Sequence, residues 1–310
     1  MVLPVNPRRT AFALVELIAA LALAGLVAAI AIATITRQQR FYRASAELRG
    51  ARESVRDAME ILAADIRGAS VSDTIRLRAD SAIELFTAIG TSVACQTAGT
   101  GVGLPPSHAS GNSLSAFLTE PDTGDIALFF IDSANAGPQW RRYRIASFAA
   151  RSTGSACASG SPFAGEADAT SAVRGFALTL TIPAPATIGP GTPVRFIRRA
   201  RYSLYHASDG EWYLGYRRCN AIGASSCGGV QPVSGPYRAY SSDPRLTGLL
   251  LEYFDSHGVR LGATASPLVL ARVAITARSE SDQQNPFSRR AAYIADSATV
   301  SIGIRNRARQ

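Results

Sequence analysis

Apolar residues run almost unbroken from Phe12 to Ile35, then thin into a stripe. The first stretch is apolar on every side, as a helix surrounded by lipid or by other helices requires. Beyond Arg37 the period stays helical but becomes one-sided. Phe41, Leu48, Ala51, Val55, Ala58 or Met59, Leu62 and Ile66 recur every three to four residues. The opposite face mixes charges of both signs, among them Arg43, Glu47, Arg52, Glu53, Asp57 and Glu60. No proline occurs between residues 8 and 104, and Gly68 offers a C-cap. The pattern predicts one helix from Phe12 to Arg67, about 84 Å long at about 1.5 Å per residue. Residues 12–36 would be its membrane or assembly half, and residues 37–68 its amphipathic half, packed on a globular domain.

One carboxylate, Glu16, interrupts the apolar half. A charge near the centre of a membrane helix costs about 2.5–3.5 kcal/mol on insertion scales, so an acid there points to a function that rewards it.

After Gly68 the period changes from helical to alternating. Short strand patterns occur at Ile75–Arg78, Ala82–Thr87, Ile126–Ile131, Gln139–Phe148 and Gly175–Ile182. Gly/Ser/Thr/Pro-rich stretches separate them, and Ala94–Ser115 and Ser152–Ala172 read as loops. Residues 184–193 read as a connector between a first β-rich, loop-rich lobe, residues 69–183, and a second antiparallel lobe, residues 194–310. In the second lobe Val194–His206 and Glu211–Arg218 flank Ser208-Asp209-Gly210, a hairpin signal. Leu246–Asp255, Leu268–Ser279 and Ala291–Arg305 supply further strands. The expected class is α+β: one long N-terminal helix packed on an antiparallel β domain with two lobes.

The 310 residues suffice for one membrane segment and one soluble domain. All 32 basic residues are arginine, and the formal net charge is +9. Loss of a leader holding Arg8 and Arg9 lowers it by two. Such a surface attracts anions, although its arginines are dispersed along the chain.

The four cysteines, Cys95, Cys157, Cys219 and Cys227, form no C-x-x-C motif, and no histidine lies at ligand spacing, so no metal site is expected. In an exported domain they read as a disulfide framework with three connectivities open. Cys219–Cys227 is favoured because it closes a Gly/Ser-rich loop, and Cys95–Cys157 then follows by elimination. Reduced, buried cysteines are the alternative.

Three readings compete at the N-terminus. A secretory signal would place its cleavage site at Ala31-x-Ala33. A twin-arginine signal would use Arg8-Arg9. Neither explains Glu16, nor the helical pattern that continues past Ala33. The third rests on Ala11-Phe12-Ala13-Leu14-Val15-Glu16-Leu17, which resembles the processing site of type IV pilins and type II secretion pseudopilins. The resemblance implies a prepilin leader, residues 1–11, cut between Ala11 and Phe12 by a prepilin peptidase that methylates the new Phe12 amine. The residue before the cut is Ala11 where the family usually has Gly, and Ala28–Thr34 lacks the proline common in major subunits. Glu16 then sits one turn, about 6 Å, from that amine. A neighbouring subunit shifted by that rise would set its own amine beside the carboxylate.

Arg201-Tyr-Ser-Leu-Tyr, Asp209-Gly-Glu-Trp-Tyr-Leu-Gly-Tyr-Arg217, Leu249–Gly258 and Val300–Arg307 are similar to the C-terminal half of PilW-like minor pilins and of the J-class minor pseudopilin. The resemblance covers residues 8–68 and 194–307; the middle third shares only its style.

Catalytic signals are absent. His108 and His257 fall in loops, His206 ends a strand, and Asp209 and Asp255 suit turns. There is no P-loop and no G-x-S-x-G, and Gly99-x-Gly101-x-Gly103 runs into Leu-Pro-Pro, which opens no helix. No cofactor is expected, and no EF-hand spacing marks a calcium site. Trp140 and Trp212, beside Arg141-Arg142 and Tyr213, suit either cross-strand packing or a nucleic-acid surface.

The expectation is therefore a non-enzymatic minor pilin or pseudopilin, held in the bacterial inner membrane by one helix with its domain in the periplasm or outside. Its partners would be other subunits through that helix, the prepilin peptidase and membrane lipid. The competing expectations are a tip adhesin or DNA-binding subunit, and a periplasmic enzyme or binding protein exported by a conventional signal.

Overall fold

The structure, a computed structural model, describes residues 14–69, 77–107, 114–133, 137–157, 161–163, 174–219, 227–262, 265–266, 269–284 and 293–304. It opens with the long helix α1, Leu14–Gly68. Then come β1 (Leu77–Arg78), β2 (Ala82–Val93), β3 (Gln96–Ala98), β4 (Gly101–Leu104), β5 (Ala116–Phe117), β6 (Ile126–Ser133) and β7 (Gly137–Ser152). A single turn, α2 (Thr153–Ala156), precedes β8 (Arg174–Leu180), β9 (Pro193–His206), β10 (Trp212–Arg218) and β11 (Gln231–Tyr237). The chain closes with β12 (Leu249–Phe254), β13 (Arg272–Gln284) and β14 (Tyr293–Gly303). The class is α+β, and the strand pairs are antiparallel.

An 11-stranded sheet runs β1-β2-β9-β6-β7-β8-β4-β3, with β10 and β11 extending from β9 and β5 pairing β2. A separate sheet holds β12-β13-β14. β9 is the hub. Along one edge it pairs β2 from Pro193 to Ser203; along the other it pairs β6 over Val194–Ile197 and β10 over Ala200–His206.

This pairing differs from the expected division of the chain at residues 184–193. β9, assigned to a second lobe, lies between strands of the first. The segment before it is packed rather than free. Ile188 is fully buried among Phe129, Leu180 and Phe196, and its carbonyl accepts from Thr97 Oγ1 at 2.7 Å. An apolar anchor with no exposure holds the Pro/Gly run against the sheet. The two sheets part later, between Tyr237 and Leu249.

Two main cores fill the molecule. One gathers Val55, Leu62 and Ile66 of α1 with Ile83, Leu85, Ala200 and Leu214 of the large sheet and Leu251, Ile275 and Ile302 of the small one. The other is built without the helix, from Val102, Phe129, Ile145, Leu178 and Phe196 with Phe117 and Phe148 at its margin.

The predicted stripe is buried from Ala51 onward, at Ala51, Val55, Ala58, Leu62 and Ile66. Phe41 departs from it and stands 50% exposed, because the helix meets the sheets only from Ala44. Several strands differ from the sequence reading. β3 and β4 form a hairpin inside a stretch read as loop, turning at Gly99 with φ +58°. β11 contains Pro232 and Pro236 and escapes a propensity reading; it pairs only β10, and an edge strand tolerates proline.

Polar contacts clasp the helix to the domain. Ser54 Oγ donates to the Gly235 carbonyl at 2.8 Å, and Tyr237 Oη donates to the Ser54 carbonyl at 2.5 Å. Tyr202 Oη donates to Asp65 at 2.5 Å. Burial raises the Asp65 carboxyl above its ordinary range, partly offset by the Tyr202 hydrogen bond. Ser281 Oγ donates to Glu47 at 2.7 Å nearer the free end.

Tyr237→Phe removes a donor from a buried carbonyl and should cost about 1–3 kcal/mol, read by urea unfolding of the full-length protein in detergent. Burial pushes the Tyr237 hydroxyl up to about 12. Its contribution is complete below the unfolded tyrosine value of about 10 and is lost as pH rises toward the folded value. The gap between wild type and variant should therefore narrow from pH 10 upward.

Candidate functional site

The feature that the domain does not explain is the free half of α1. Every residue from Leu14 to Arg43 is exposed. The large side chains from Leu14 to Ile35 are between 52% and 75% exposed, so the apolar surface is continuous around the helix. Soluble monomers rarely present an apolar patch beyond a few hundred Å², and larger ones meet lipid or protein. Residues 14–36 cover about 34 Å at 1.5 Å per residue, enough for a hydrocarbon core of about 30 Å. This single apolar N-terminal helix is a candidate membrane span or signal anchor.

Its polar groups suit that setting. Thr34 Oγ1 donates to the Ile30 carbonyl at 2.8 Å, and Thr36 Oγ1 to the Ile32 carbonyl at 2.6 Å. Hydroxyls bonded inside their own helix remove most of the penalty of leaving water. Gly25 is not required by its own chain, since a Cβ there would meet nothing within 4 Å. It costs about 1 kcal/mol relative to alanine inside a helix. With Ala19, Ala20, Ala22, Ala24, Ala28 and Ala29 around it, the surface has low relief, which lets a second helix approach closely.

Glu16 lies in the first turn of α1 and is the only charged residue from Leu14 to Thr36. An acid at a helix N-terminus gains about 0.3–1 kcal/mol from the backbone dipole. Insertion costs about 2.5–3.5 kcal/mol. The dipole alone does not offset the cost. Ala11 and Phe12, the expected processing site, lie outside the described residues, as does His108.

The cysteines pair as favoured from the sequence, Cys95 with Cys157 and Cys219 with Cys227. Cys95–Cys157 ties the residues between β2 and β3 to the residue after α2, and both are buried. Cys219–Cys227 joins the end of β10 to the approach to β11. Glu84 and these two sulfurs lie within 4.8 Å of one another, but sulfurs bonded to each other are not thiolate ligands.

The remaining singled-out residues are structural. His206 Nε2 is 3.0 Å from the Gly210 carbonyl within the β9–β10 hairpin, and its ring packs on Trp212. Asp209 and Asp255 accept backbone N–H groups in their turns. Trp140 and Arg142 share one face of β7, and Arg141 lies on the other, opposite Phe129. Sequence reading missed a buried cluster between the cores: Arg198 binds Asp125 at 2.7 Å, and Arg218 joins at 3.2 Å. Its only sequence trace is an arginine at an inward-facing position of β9.

A scan of protein-family models and searches of curated proteins and of solved structures match nothing to this chain.

Removing the two disulfides singly should have unequal cost. Cys95–Cys157 closes a separation of 62 residues and Cys219–Cys227 one of 8. Chain entropy gives about 4 and about 2.5 kcal/mol respectively. Urea midpoints of the Cys95→Ser/Cys157→Ser and Cys219→Ser/Cys227→Ser variants check the order.

Proposed function

We propose that this chain is a minor pilin or pseudopilin: a structural, non-catalytic subunit that joins a helical assembly through α1. The observation that carries the reading is the division of one unbroken helix. Its first part, apolar as far as Thr36, stands free from Leu14 to Arg43, and its other half is clasped by the domain. The one acid in the free half is the second support. Sequence similarity at Ala11–Leu17 names the intersubunit partner of Glu16, the Phe12 amine that cleavage creates.

In this mechanism the leader is removed before Phe12, and the helix remains in the membrane until assembly. Subunits then stack with their apolar halves together. The amine of one meets Glu16 of the next in a medium where either charge alone is costly. Assembly thus offsets the insertion cost that the helix dipole leaves uncovered. The low relief around Gly25 allows the close helix packing this requires. The bulky two-sheet domain is easier to seat at an open end than in every repeat, which favours the tip or the initiating complex.

A conventional signal cut near Ala33 fits less well. It would sever α1 in mid-course and separate Thr34 and Thr36 from the carbonyls of Ile30 and Ile32.

N-terminal sequencing and intact mass of the membrane form should give a chain starting at N-methyl-Phe12; a start near Thr34 overturns the reading. Glu16→Ala should insert and be cleaved, yet enter assemblies about a hundredfold less or worse, since a buried charge left without its partner costs about 3–5 kcal/mol. Quantitative immunoblotting of sheared pili or cross-linked complexes measures it. Normal incorporation would remove the charge pair from the mechanism.

A further inference from the structure

The large sheet turns one face to the two cores and the other outward. Cross-strand register gathers arginines on the outward face. Arg201 is paired with both Glu84 and Arg217. Leu128 is paired with both Arg195 and Arg142, and Ile126 with Arg144. Arg199 stands opposite Phe86, and Trp140 opposite Phe130. Arg199 and Glu84 are buried against each other as an ion pair; the other five arginines face one further carboxylate, Asp132, so positive charge is in excess. Glu84 is held by Arg199 at 2.5 Å and by Arg201 at 3.1 Å.

The arginines lie on aromatic rings. The Arg195 guanidinium is 4.7 Å from the Trp140 ring centroid, and that of Arg142 is 5.3 Å from Phe86. Trp140 is 38% exposed and leans on Phe130 at 5.2 Å. Arg217 Nε is buried and has no hydrogen-bond partner among the described residues.

Covering Phe86, Ile126 and Ile197 is one role for these long side chains. A veneer of that kind needs no surplus of one sign and no half-exposed tryptophan. A face with cations in rows and a part-exposed ring matches instead the requirements of an unpaired nucleic-acid strand: phosphates along a positive track and bases against aromatic faces. Duplex is a poorer fit, because its bases are stacked on each other and unavailable to Trp140.

We propose that the outward face of the large sheet binds single-stranded nucleic acid, with Arg144, Arg195 and Arg217 on phosphates and Trp140 beneath a base. The inference does not depend on how α1 is anchored, so its failure and that of the assembly reading are separable.

The test is fluorescence anisotropy of a labelled oligodeoxythymidine titrated with the full-length protein in a neutral detergent, at several salt concentrations. Three phosphate contacts give a slope of log K against log salt of about −2. Arg144→Gln and Arg195→Gln should each weaken binding and flatten the slope by about 0.7. Trp140→Ala should weaken it about 5- to 150-fold, and Trp140→Phe should restore most of the loss. Arg272→Gln makes the same charge change at a guanidinium over Phe254 on the other sheet and should leave affinity and slope unchanged. Absence of binding at low salt, equal loss in Arg272→Gln, or undiminished affinity in Trp140→Ala overturns the proposal. Phosphatidylglycerol bicelles that bind through Arg195 while the oligonucleotide does not would assign the face to a membrane, and would equally overturn it.

Discussion

Everything in this molecule depends on a helix that must satisfy two surroundings with one backbone. Intrahelical hydrogen bonding is indifferent to solvent, so α1 can pass from a fully exposed apolar stretch into a packed core without a break. Only side chains change at the crossing near Ala44. Up to Thr36 the surface is apolar all round, with its threonines bonded inward. After the crossing a single face is buried and the rest carries charge. The domain is built to meet that one face, and the first core exists only because β2, β9, β10 and the small sheet converge on it.

The second core shows how the rest of the chain stays compact without the helix. It is closed by its own aromatic cluster and by Ile188. Between the cores lies the Arg198–Asp125–Arg218 cluster, in which Arg198 also donates to the Glu120 carbonyl at 3.0 Å. Buried ion pairs of this kind add little net stability but are costly to break singly. Here they hold β9 and β10 to the turn before β6, so the long hub strand has one register serving both cores.

The helix was legible because its signal is repetitive: an apolar run followed by a stripe of period 3.6. Strands with alternating β-branched and aromatic residues, such as β9 and β14, were legible for the same reason. β3, β4 and β11 were not, since β3 is only three residues long, Gly and Pro break up β4 and β11, and their pairing is decided by neighbours rather than propensity. The Pro/Gly run at 184–193 misled in the opposite direction: composition suggested a connector, while one isoleucine fixed it in place. Of the candidate site, Glu16 was plain from sequence as a lone charge among apolar neighbours. The arginine face was hidden, because its members come from β7, β9 and β10 and meet only through register. Arg141, the neighbour that sequence groups with Arg142, points the other way.

The contacts between α1 and the sheets are distributed along the helix, from Glu47 through Ser54 to Asp65, and they reach β13, the end of β11 and β9 respectively. A force along the helix axis therefore loads them in parallel rather than one after another. Shear shared across three strands resists far more than peeling at a single point. Whatever pulls on the free half, the domain answers as one body, and α1 acts as a rigid shaft seated in a socket.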